Sequence, residues 1–303
     1  MTDMSVELCR VRLKNPVIAA SGTYGYGMEF KEFYPLSRLG GISCKGTTLH
    51  KREGNPPPRI TETSCGIMNS VGLQNPGVDE FLSIYLPAVK KHDVAVIANI
   101  AGNSVEEYCE MAERLEDSSV DIVELNISCP NVKQGGVNFG TSCDSVFDVT
   151  SKVKTRTKKP LMVKLTPNVT SIGDIASAAV DAGADALSLI NTITGMRIDI
   201  RTRRPLLHNN TGGLSGRAVF PIAVRMVNEV AKRVSVPIVG IGGISCWEEA
   251  AEMMIAGACA VQVGTANFND PFACIKIIEG LEGFAESLGL KSISELTGTV
   301  KEW

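Results

Sequence analysis

The residues best suited to chemistry lie in one stretch, Asn126-Ile-Ser-Cys-Pro-Asn-Val-Lys-Gln-Gly-Gly136. It follows the apolar run 120–125 and becomes polar and glycine-rich within a few residues. This pattern is typical of a buried strand that opens into an active-site loop. Pro130 restrains the backbone beside Cys129, whereas the two glycines at the far end leave the rest of the loop free to move. We therefore predict that Cys129 is a reactive group on a gated loop.

The other cysteines have a simpler interpretation. The chain contains nine cysteines, with no C-x-x-C pair and no Cys/His cluster at the spacing of a zinc site. We expect free thiols in a reducing compartment and no bound metal. A free thiol usually behaves as a small buried hydrophobe. Cys129 differs because its neighbours are serine, proline, asparagine and glycine.

Composition indicates the class of partner. A net charge of −3, with charges of both signs spread along the 303 residues, argues against a nucleic-acid surface or a polybasic membrane patch. The first residues lack a basic segment followed by an apolar one, and no apolar run approaches the ~20 residues of a membrane span. We expect a cytoplasmic protein that acts on a small molecule.

The elements that position Cys129 follow from a regular alternation of short apolar runs with stretches of helical periodicity. Eight strands in strict alternation with helices, apolar on both faces, predict an α/β fold, a (β/α)8 TIM barrel with insertions at the C-terminal face of its strands. Residues 1–303 then form a single domain, and a doubly wound open sheet is the alternative. The predicted strands are 16–21, 41–45, 94–100, 120–127, 160–165, 186–191, 237–241 and 260–264. The predicted helices include 79–91, 104–118, 144–157, 171–182, 217–234 and 246–256, the last with Ser245 as its N-cap.

Polar residues and glycines follow nearly every predicted strand. Active sites of such barrels are built at the carboxyl ends of the strands, so we expect these residues to converge on one site. Three long insertions, 47–77, 129–143 and 193–216, also follow strands and should form its walls and lids. The strand-end residues are Ser21, Lys45, Gly46, Asn99, Asn126, Lys164, Ile190, Asn191, Thr192, Gly242, Gly243, Gly264 and Thr265.

Three glycine-rich segments, Gly212-Gly-Leu-Ser-Gly216, Gly240-Ile-Gly-Gly243 and Gly264-Thr265, occur in the last part of the chain. Read as turns, they expose backbone amides that can surround a phosphate of a substrate or a cofactor. Lys164 suits a flavin, because its positive charge would stabilise the anionic reduced ring. A Schiff-base lysine of an aldolase-like enzyme is the competing role, and spacing does not separate the two.

These motifs together resemble those of the class 1 dihydroorotate dehydrogenases. Nearly the whole chain takes part in the resemblance. It implies a barrel with bound FMN that oxidises (S)-dihydroorotate to orotate in pyrimidine biosynthesis. Position 129 carries cysteine, which resembles the soluble class. The membrane-linked class 2 enzymes carry serine at this position. Besides those above, the motifs are Val17-Ile-Ala-Ala-Ser-Gly-Thr23, Lys45-Gly46, Asn69-Ser-Val-Gly-Leu-Gln-Asn75, Val163-Lys164 and Asn191-Thr192.

The resemblance also implies individual roles. Cys129 is the base that removes the C5 proton of dihydroorotate, while a hydride leaves C6 for N5 of FMN. Asparagine amides both donate and accept, which suits the alternating edge of a pyrimidine ring. The implied FMN contacts are Ser21, Lys45, Gly46, Asn99, Asn126, Lys164, Ile190, Gly216, Gly242, Gly243, Gly264 and Thr265. The implied substrate contacts are Lys45, Asn69, Gly72, Leu73, Asn126, Asn131, Asn191 and Thr192.

Two short segments indicate the subclass. Val132-Lys-Gln-Gly-Gly136 and Gly22-Thr-Tyr-Gly-Tyr-Gly27 resemble subclass 1B, whose catalytic subunit passes electrons to NAD⁺ through a second subunit with FAD and an iron–sulfur cluster. This chain has no cysteine cluster for iron–sulfur binding and no dinucleotide fingerprint, so NAD⁺ use would require that partner. We expect a homodimer of this chain that the partner completes to a heterotetramer.

Three other functions compete with this one. A dihydropyrimidine dehydrogenase acting on uracil or thymine would keep the flavin, the barrel and the cysteine, but Lys45 and Asn131 suit a ring that carries a carboxylate. A non-redox, phosphate-binding isomerase or aldolase would be colourless. A silent binding subunit is disfavoured by Cys129 and the two lysines.

Overall fold

The eight predicted apolar runs form eight parallel strands that close into a barrel. The computed structural model describes residues 2–127 and 139–303. Each barrel strand lies inside a predicted range, so the prediction of a TIM barrel is confirmed. In chain order the described strands are β1 (Val6–Leu8), β2 (Val11–Leu13), β3 (Val17–Ala19), β4 (Gly41–Ser43), β5 (Ile60–Thr63), β6 (Gly66–Asn69), β7 (Ala95–Ile100), β8 (Ile122–Asn126), β9 (Leu161–Lys164), β10 (Ala186–Leu189), β11 (Ile193–Gly195), β12 (Ile198–Asp199), β13 (Arg204–Pro205), β14 (Gly212–Ser215), β15 (Ile238–Ile241) and β16 (Ala260–Val263).

Around the barrel the strands follow the order β10-β15-β16-β3-β4-β7-β8-β9. Nearly every residue of these strands is buried, as expected when helices cover the outer face of a parallel barrel. Burial of one Val, Leu or Ile side chain stabilises the fold by about 1.5–3 kcal/mol. The repeated apolar runs therefore supply the main driving force for closure.

Helices cover the outside of the barrel. The six predicted helices are present, and α9 follows them near the C-terminus with buried Ile277, Ile278 and Leu281 at helical spacing. None of the described helices is long and apolar enough to cross a membrane. The helices are α1 (Val78–Glu80), which continues through a π-helical turn (Phe81–Tyr85) into α2 (Leu86–Val89), then α3 (Val105–Glu116), α4 (Cys143–Lys154), α5 (Ile172–Asp181), α6 (Phe220–Ala231), α7 (Trp247–Ala256), α8 (Ala266–Asn269) and α9 (Ala273–Ser287).

The predicted N-cap of α7 is wrong by one residue. Cys246 occupies the N-cap position, without a side-chain capping bond. Ser245 instead donates both its backbone N–H and its hydroxyl to the carboxylate of Glu249, at 2.6 and 2.8 Å. A charged acceptor forms stronger hydrogen bonds than a neutral one, so the hydroxyl turns toward Glu249 rather than toward the helix amides.

Two of the three insertions build a small sheet of their own. Strands β11, β14, β6 and β5 form an antiparallel sheet from residues that follow barrel strands β4 and β10. This second sheet, which we call the lid sheet, stands at the carboxyl ends of the barrel strands. The expectation that insertions 47–77 and 193–216 wall the site is thereby confirmed. Insertion 129–143 lies largely outside the described residues.

Two glycines of α9 provide a matched test of outer packing. A Cβ at Gly280 would overlap the indole ring of Trp247, whereas a Cβ at Gly283 would meet nothing within 4 Å. Gly283→Ala should stabilise the protein by up to about 1 kcal/mol, because alanine is the better helix former. Gly280→Ala should destabilise it by about 1–3 kcal/mol through overpacking. Urea unfolding measures both, and equal effects would contradict the described packing of α9 against Trp247.

Candidate active site

The carboxyl ends of the barrel strands and the lid sheet enclose a cavity of about 870 Å³. Its size lies in the upper part of the range for ligand sites. Every predicted site residue within the described part of the chain lines this cavity. These are Ser21, Lys45, Gly46, Asn69, Gly72, Leu73, Asn99, Asn126, Lys164, Ile190, Asn191, Thr192, Gly216, Gly242, Gly243, Gly264 and Thr265. Cys129 and Asn131 lie outside the described residues, so their positions and roles stay predictions.

A carboxylate that the sequence reasoning missed, Glu124 of β8, lies fully buried beneath the cavity. One of its oxygens accepts hydrogen bonds from Ser43 Oγ at 2.7 Å and Asn99 Nδ2 at 2.6 Å. The other accepts from Ser188 Oγ at 2.7 Å and Gln262 Nε2 at 2.9 Å. The four donors come from β4, β7, β10 and β16, so this one side chain connects strands around the whole barrel.

Glu124 is held in its charged form. Burial by itself would raise its pKa, but the nearby positive charge of Lys164 and the hydrogen bonds from Asn99, Ser43 and Ser188 outweigh it and leave the pKa below the ordinary value. An ionised carboxylate is an acceptor only, so all four contacts must be donors, as they are.

Lys164 lies at the end of β9 and is nearly buried. In the described residues its ammonium finds no hydrogen-bond acceptor, and its positive charge acts on the carboxylate of Glu124. A buried ammonium without acceptors is costly. Because Lys164 also lines the cavity, the missing acceptor is expected from a bound molecule with oxygen or nitrogen acceptors on one edge.

Three asparagines form a continuous chain of hydrogen bonds along the cavity floor, which we call the amide chain. Asn126 Nδ2 donates to Asn99 Oδ1 at 3.2 Å, and Asn191 Nδ2 donates to Asn126 Oδ1 at 3.3 Å. The backbone N–H of Thr192 donates to Asn191 Oδ1 at 2.8 Å. The buried hydroxyl of Tyr108 donates to the carbonyl oxygen of Asn126 at 2.8 Å. Asn126 is therefore held by side chain and backbone at the point where the reactive stretch begins.

The lid sheet approaches the amide chain closely because of two glycines. A Cβ at Gly213 would overlap the side chain of Thr192, and one at Gly212 would lie 2.6 Å from the carbonyl oxygen of Asn69. The prediction that both glycines lie in a turn is wrong. They belong to strand β14, which pairs with the strand that carries Asn69. Their role is to admit Asn69 and Thr192 to the cavity wall.

Gly216 does lie at a turn, directly before the short 3₁₀ helix Arg217–Val219 that leads into α6. Its φ of 103° falls in the region that favours glycine, and the same holds for Gly243, whose φ is 78°. A Cβ at Gly243 would lie 2.6 Å from Cβ of Phe220 at the start of α6. Thr265 Oγ1 joins this corner by donating to Ser215 Oγ at 2.9 Å. Three chain segments therefore meet at this corner of the cavity, and backbone amides of glycine-rich turns are groups that suit an anion.

The opposite wall depends on a strained loop. Leu73 has a φ of 57°, a region that is costly for a leucine. Both ends of the Asn75 amide hold this loop. Nδ2 donates to Leu73 O at 2.7 Å, and Oδ1 accepts from the backbone N–H of Gly77 at 2.9 Å. The amide also accepts from the backbone N–H of Thr48 and donates to the hydroxyl of Thr48. Asn75 therefore fixes Leu73 and Gly72 at the cavity wall.

The sequence contained a signal for the missed groups. Glu124 stands inside an apolar run, and Ser43, Ser188 and Gln262 likewise interrupt apolar barrel strands. A single polar residue inside a buried strand requires partners at the same depth. A search for such interruptions in every predicted strand would have found this set. Among the described residues there is no cluster of side chains that could hold a metal ion.

Comparison with known proteins gives a consistent result. The family model described as dihydroorotate dehydrogenase matches residues 3–284 of the chain. The protein called dihydroorotate dehydrogenase B (NAD(+)), catalytic subunit, of Bacteroides thetaiotaomicron is 51% identical over 302 residues, which cover 99% of this chain and 100% of the relative. Proteins of the same name from Petrotoga mobilis and Geotalea uraniireducens are 50% and 52% identical over 300 and 299 residues. The alignments cover 99% and 98% of this chain, and 100% and 98% of those relatives.

The buried carboxylate predicts how stability depends on pH. The pKa of Glu124 is lower in the folded than in the unfolded protein, so its stabilising effect is present above the ordinary glutamate value of 4.5 and is lost as the pH falls through the folded pKa. Glu124→Gln should lower the free energy of unfolding at neutral pH by about 1–3 kcal/mol. The difference from the native protein should shrink in acid. Urea unfolding across this range measures it, and a difference that does not change with pH would contradict an ionised Glu124.

Proposed function

The chain belongs to the dihydroorotate dehydrogenase family, and from this premise we propose that it oxidises (S)-dihydroorotate to orotate in pyrimidine biosynthesis, with FMN bound in the cavity. The observation that carries this proposal is the meeting, in one cavity, of the amide chain, a glycine-lined corner and a buried lysine that finds no acceptor among residues 2–127 and 139–303. A flavin with a phosphate and a pyrimidine substrate would complement all three features.

The residues present fit FMN. The pyrimidine edge of the flavin would provide acceptors for Lys164, whose ammonium donates to no acceptor among the described residues. The FMN phosphate would accept from backbone amides at Gly216, Gly243 and Thr265. Gly216 and Gly243 have positive φ angles, which glycine adopts without steric strain. When bound, FMN would accept at N5 the hydride that leaves C6 of the substrate. Ser21, Gly46, Asn99, Ile190, Gly242 and Gly264 complete the proposed cofactor site.

The amide groups fit the substrate. Dihydroorotate presents alternating N–H and C=O groups along its ring, and an asparagine can both donate to and accept from such an edge. Asn69, Asn126, Asn131 and Asn191 are proposed to hold this edge, with Thr192, Gly72 and Leu73 beside it. Lys45 is proposed to pair with the carboxylate of the substrate. Hydrogen bonds from several fixed amides would orient C5 and C6 before reaction.

Cys129 is proposed to remove the C5 proton. Its sulfur must be a thiolate to do so, which requires polar or cationic surroundings that lower its pKa. Buried thiols in this protein show the opposite effect, since burial raises the pKa of Cys44 to about 12. The proposed base therefore needs a polar loop rather than a place in the core, and the sequence around Cys129 provides one. Its proton would then pass to solvent.

The relatives' name describes an NAD(+)-linked enzyme and a catalytic subunit. We infer that this chain likewise works with a separate subunit, which would carry FAD and an iron–sulfur cluster and pass electrons to NAD⁺. Two copies of the chain and two of the partner would form a heterotetramer in the cytoplasm. The absence of a dinucleotide fingerprint from the sequence supports a separate site for NAD⁺.

The proposal predicts a flavin that responds to one substrate. The purified chain should be yellow, release FMN on denaturation, and lose its flavin colour on anaerobic addition of dihydroorotate but not of dihydrouracil. Without the partner subunit it should not reduce NAD⁺. Visible spectra and an NADH assay measure these outcomes. Bleaching by dihydrouracil would favour a dihydropyrimidine dehydrogenase, and a colourless protein would favour a non-redox barrel enzyme.

The role of Cys129 is tested by Cys129→Ala. The variant should keep its FMN content and its orotate affinity but reduce its flavin at least about 100-fold more slowly, the usual scale for loss of a general base. Stopped-flow spectroscopy with dihydroorotate measures the rate. For native protein this rate should rise with pH until the thiol is ionised. Cys65→Ala, which removes an exposed thiol at the cavity rim, is the matched control. Native-like flavin reduction in Cys129→Ala would contradict the role of Cys129 as the base.

A further inference from the structure

Glu249, in the first turn of α7, connects two segments of the corner at which the FMN phosphate is proposed to bind. One of its carboxylate oxygens accepts from the backbone N–H and the hydroxyl of Ser245, at 2.6 and 2.8 Å. Its other oxygen lies 3.4 Å from the guanidinium of Arg217. Ser245 and Arg217 both line the cavity. Glu249 is largely buried and lies outside the lining that the described residues form, so it contacts both segments from behind.

The turn that carries Gly243 is held at both ends. Its beginning is fixed by strand β15, which pairs with β10 and β16. Its end is fixed at Ser245 by the two bonds to Glu249. Between these points Gly243 has a φ of 78° and approaches Phe220 at the start of α6. The directions of the backbone amides in this short turn therefore depend on the bonds from Ser245 to Glu249.

The two contacts of Glu249 differ in strength. The side chain of Arg217 is 71% exposed, and exposed ion pairs contribute little to stability. The bonds from Ser245 end on a charged acceptor, which makes them stronger than neutral hydrogen bonds. Loss of this acceptor would leave a backbone N–H of the turn without its partner. Glu249 is therefore expected to act mainly through Ser245, while Arg217 offsets part of its negative charge.

We propose that Glu249 is a positioning residue for the phosphate of FMN, because it holds the turn 242–245 in the form in which its backbone amides face the anion. This inference rests on the proposed function, in which FMN occupies the cavity. By its charge alone, Glu249 would repel a phosphate at this corner. A carboxylate that improves phosphate binding here must act through the geometry of the turn.

Two other roles for Glu249 predict different results. If its charge dominated, a neutral residue at position 249 would strengthen phosphate binding. If Glu249 only stabilised the start of α7, its loss would lower the melting temperature and leave phosphate binding unchanged. Riboflavin has the ring of FMN but no phosphate, so the ratio of the two affinities isolates the contribution of the phosphate.

The experiment is a competition that starts from the FMN-loaded protein. The holoprotein is incubated with a range of riboflavin concentrations and separated from free flavin, and the bound FMN and riboflavin are measured by chromatography. Changes that affect the binding of the ring alone cancel in the ratio of the two affinities. The melting temperature is measured on the same samples.

Glu249→Ala removes both contacts and should lower the preference for FMN over riboflavin about tenfold, the scale for one buried hydrogen-bonding group left without its partner. Glu249→Gln keeps an oxygen that can accept from Ser245, so it should retain at least about a third of the native preference. Glu248→Ala is the matched control, because it removes an exposed carboxylate from the same turn of α7. It should stay within about twofold of the native preference.

An unchanged preference in Glu249→Ala, with a lowered melting temperature, would overturn the proposal in favour of a structural role. A stronger preference in both variants at position 249 would overturn it in favour of a charge effect, and an equal loss in both would overturn it in favour of the ion pair with Arg217. If Glu249→Ala does not fold, Glu249→Asp, which withdraws the carboxylate by one methylene group, should lower the preference in the same direction.

The native protein separates this proposal from the proposed function. Native protein that binds no flavin would disprove the proposed function. Native protein that binds FMN and riboflavin equally well would leave flavin binding in place and overturn only the role of Glu249 toward the phosphate.

Discussion

The buried carboxylate of Glu124 is the interaction on which the arrangement of the barrel floor depends. A charge removed from water is tolerated only when hydrogen bonds and nearby opposite charge replace its hydration. Here donors from β4, β7, β10 and β16 do so, and Lys164 adds a positive charge. Because all four donors must reach one side chain, the relative positions of these strands are restricted. The apolar runs drive closure of the barrel, and Glu124 restricts which closed arrangement is stable.

Asn126 stands at the end of this rigid floor, directly before the stretch that carries the proposed base. Its side chain belongs to the amide chain, and its carbonyl is fixed by Tyr108. The proposed base, Cys129, follows three residues later in a stretch of proline and glycine. Removal of a proton from C5 and a hydride from C6 requires the substrate ring to be held in one orientation, which a fixed strand end helps to provide. The fixed strand end and the proposed base lie only three residues apart in the sequence.

Much of the fold could be predicted, since eight short apolar runs and the helices between them have clear periodicity. The strand-end residues were also predictable, because barrel geometry brings the ends of all eight strands to one face. Glu124 was missed because it was treated as part of an apolar run. Gly212 and Gly213 were predicted to lie in a turn, because glycine is common both in turns and where two chain segments approach closely. Only the contacts with Asn69 and Thr192 distinguish these two cases. The individual roles depended on the family resemblance.

The most direct test of the account is an anaerobic titration of the purified chain with dihydroorotate, in which flavin absorbance and orotate are measured together. Each flavin reduced should yield one orotate, reduction should be complete near one equivalent, and added orotate should slow it by occupying the same amides. Flavin reduction without orotate formation, or a protein whose flavin does not respond to dihydroorotate, would contradict it.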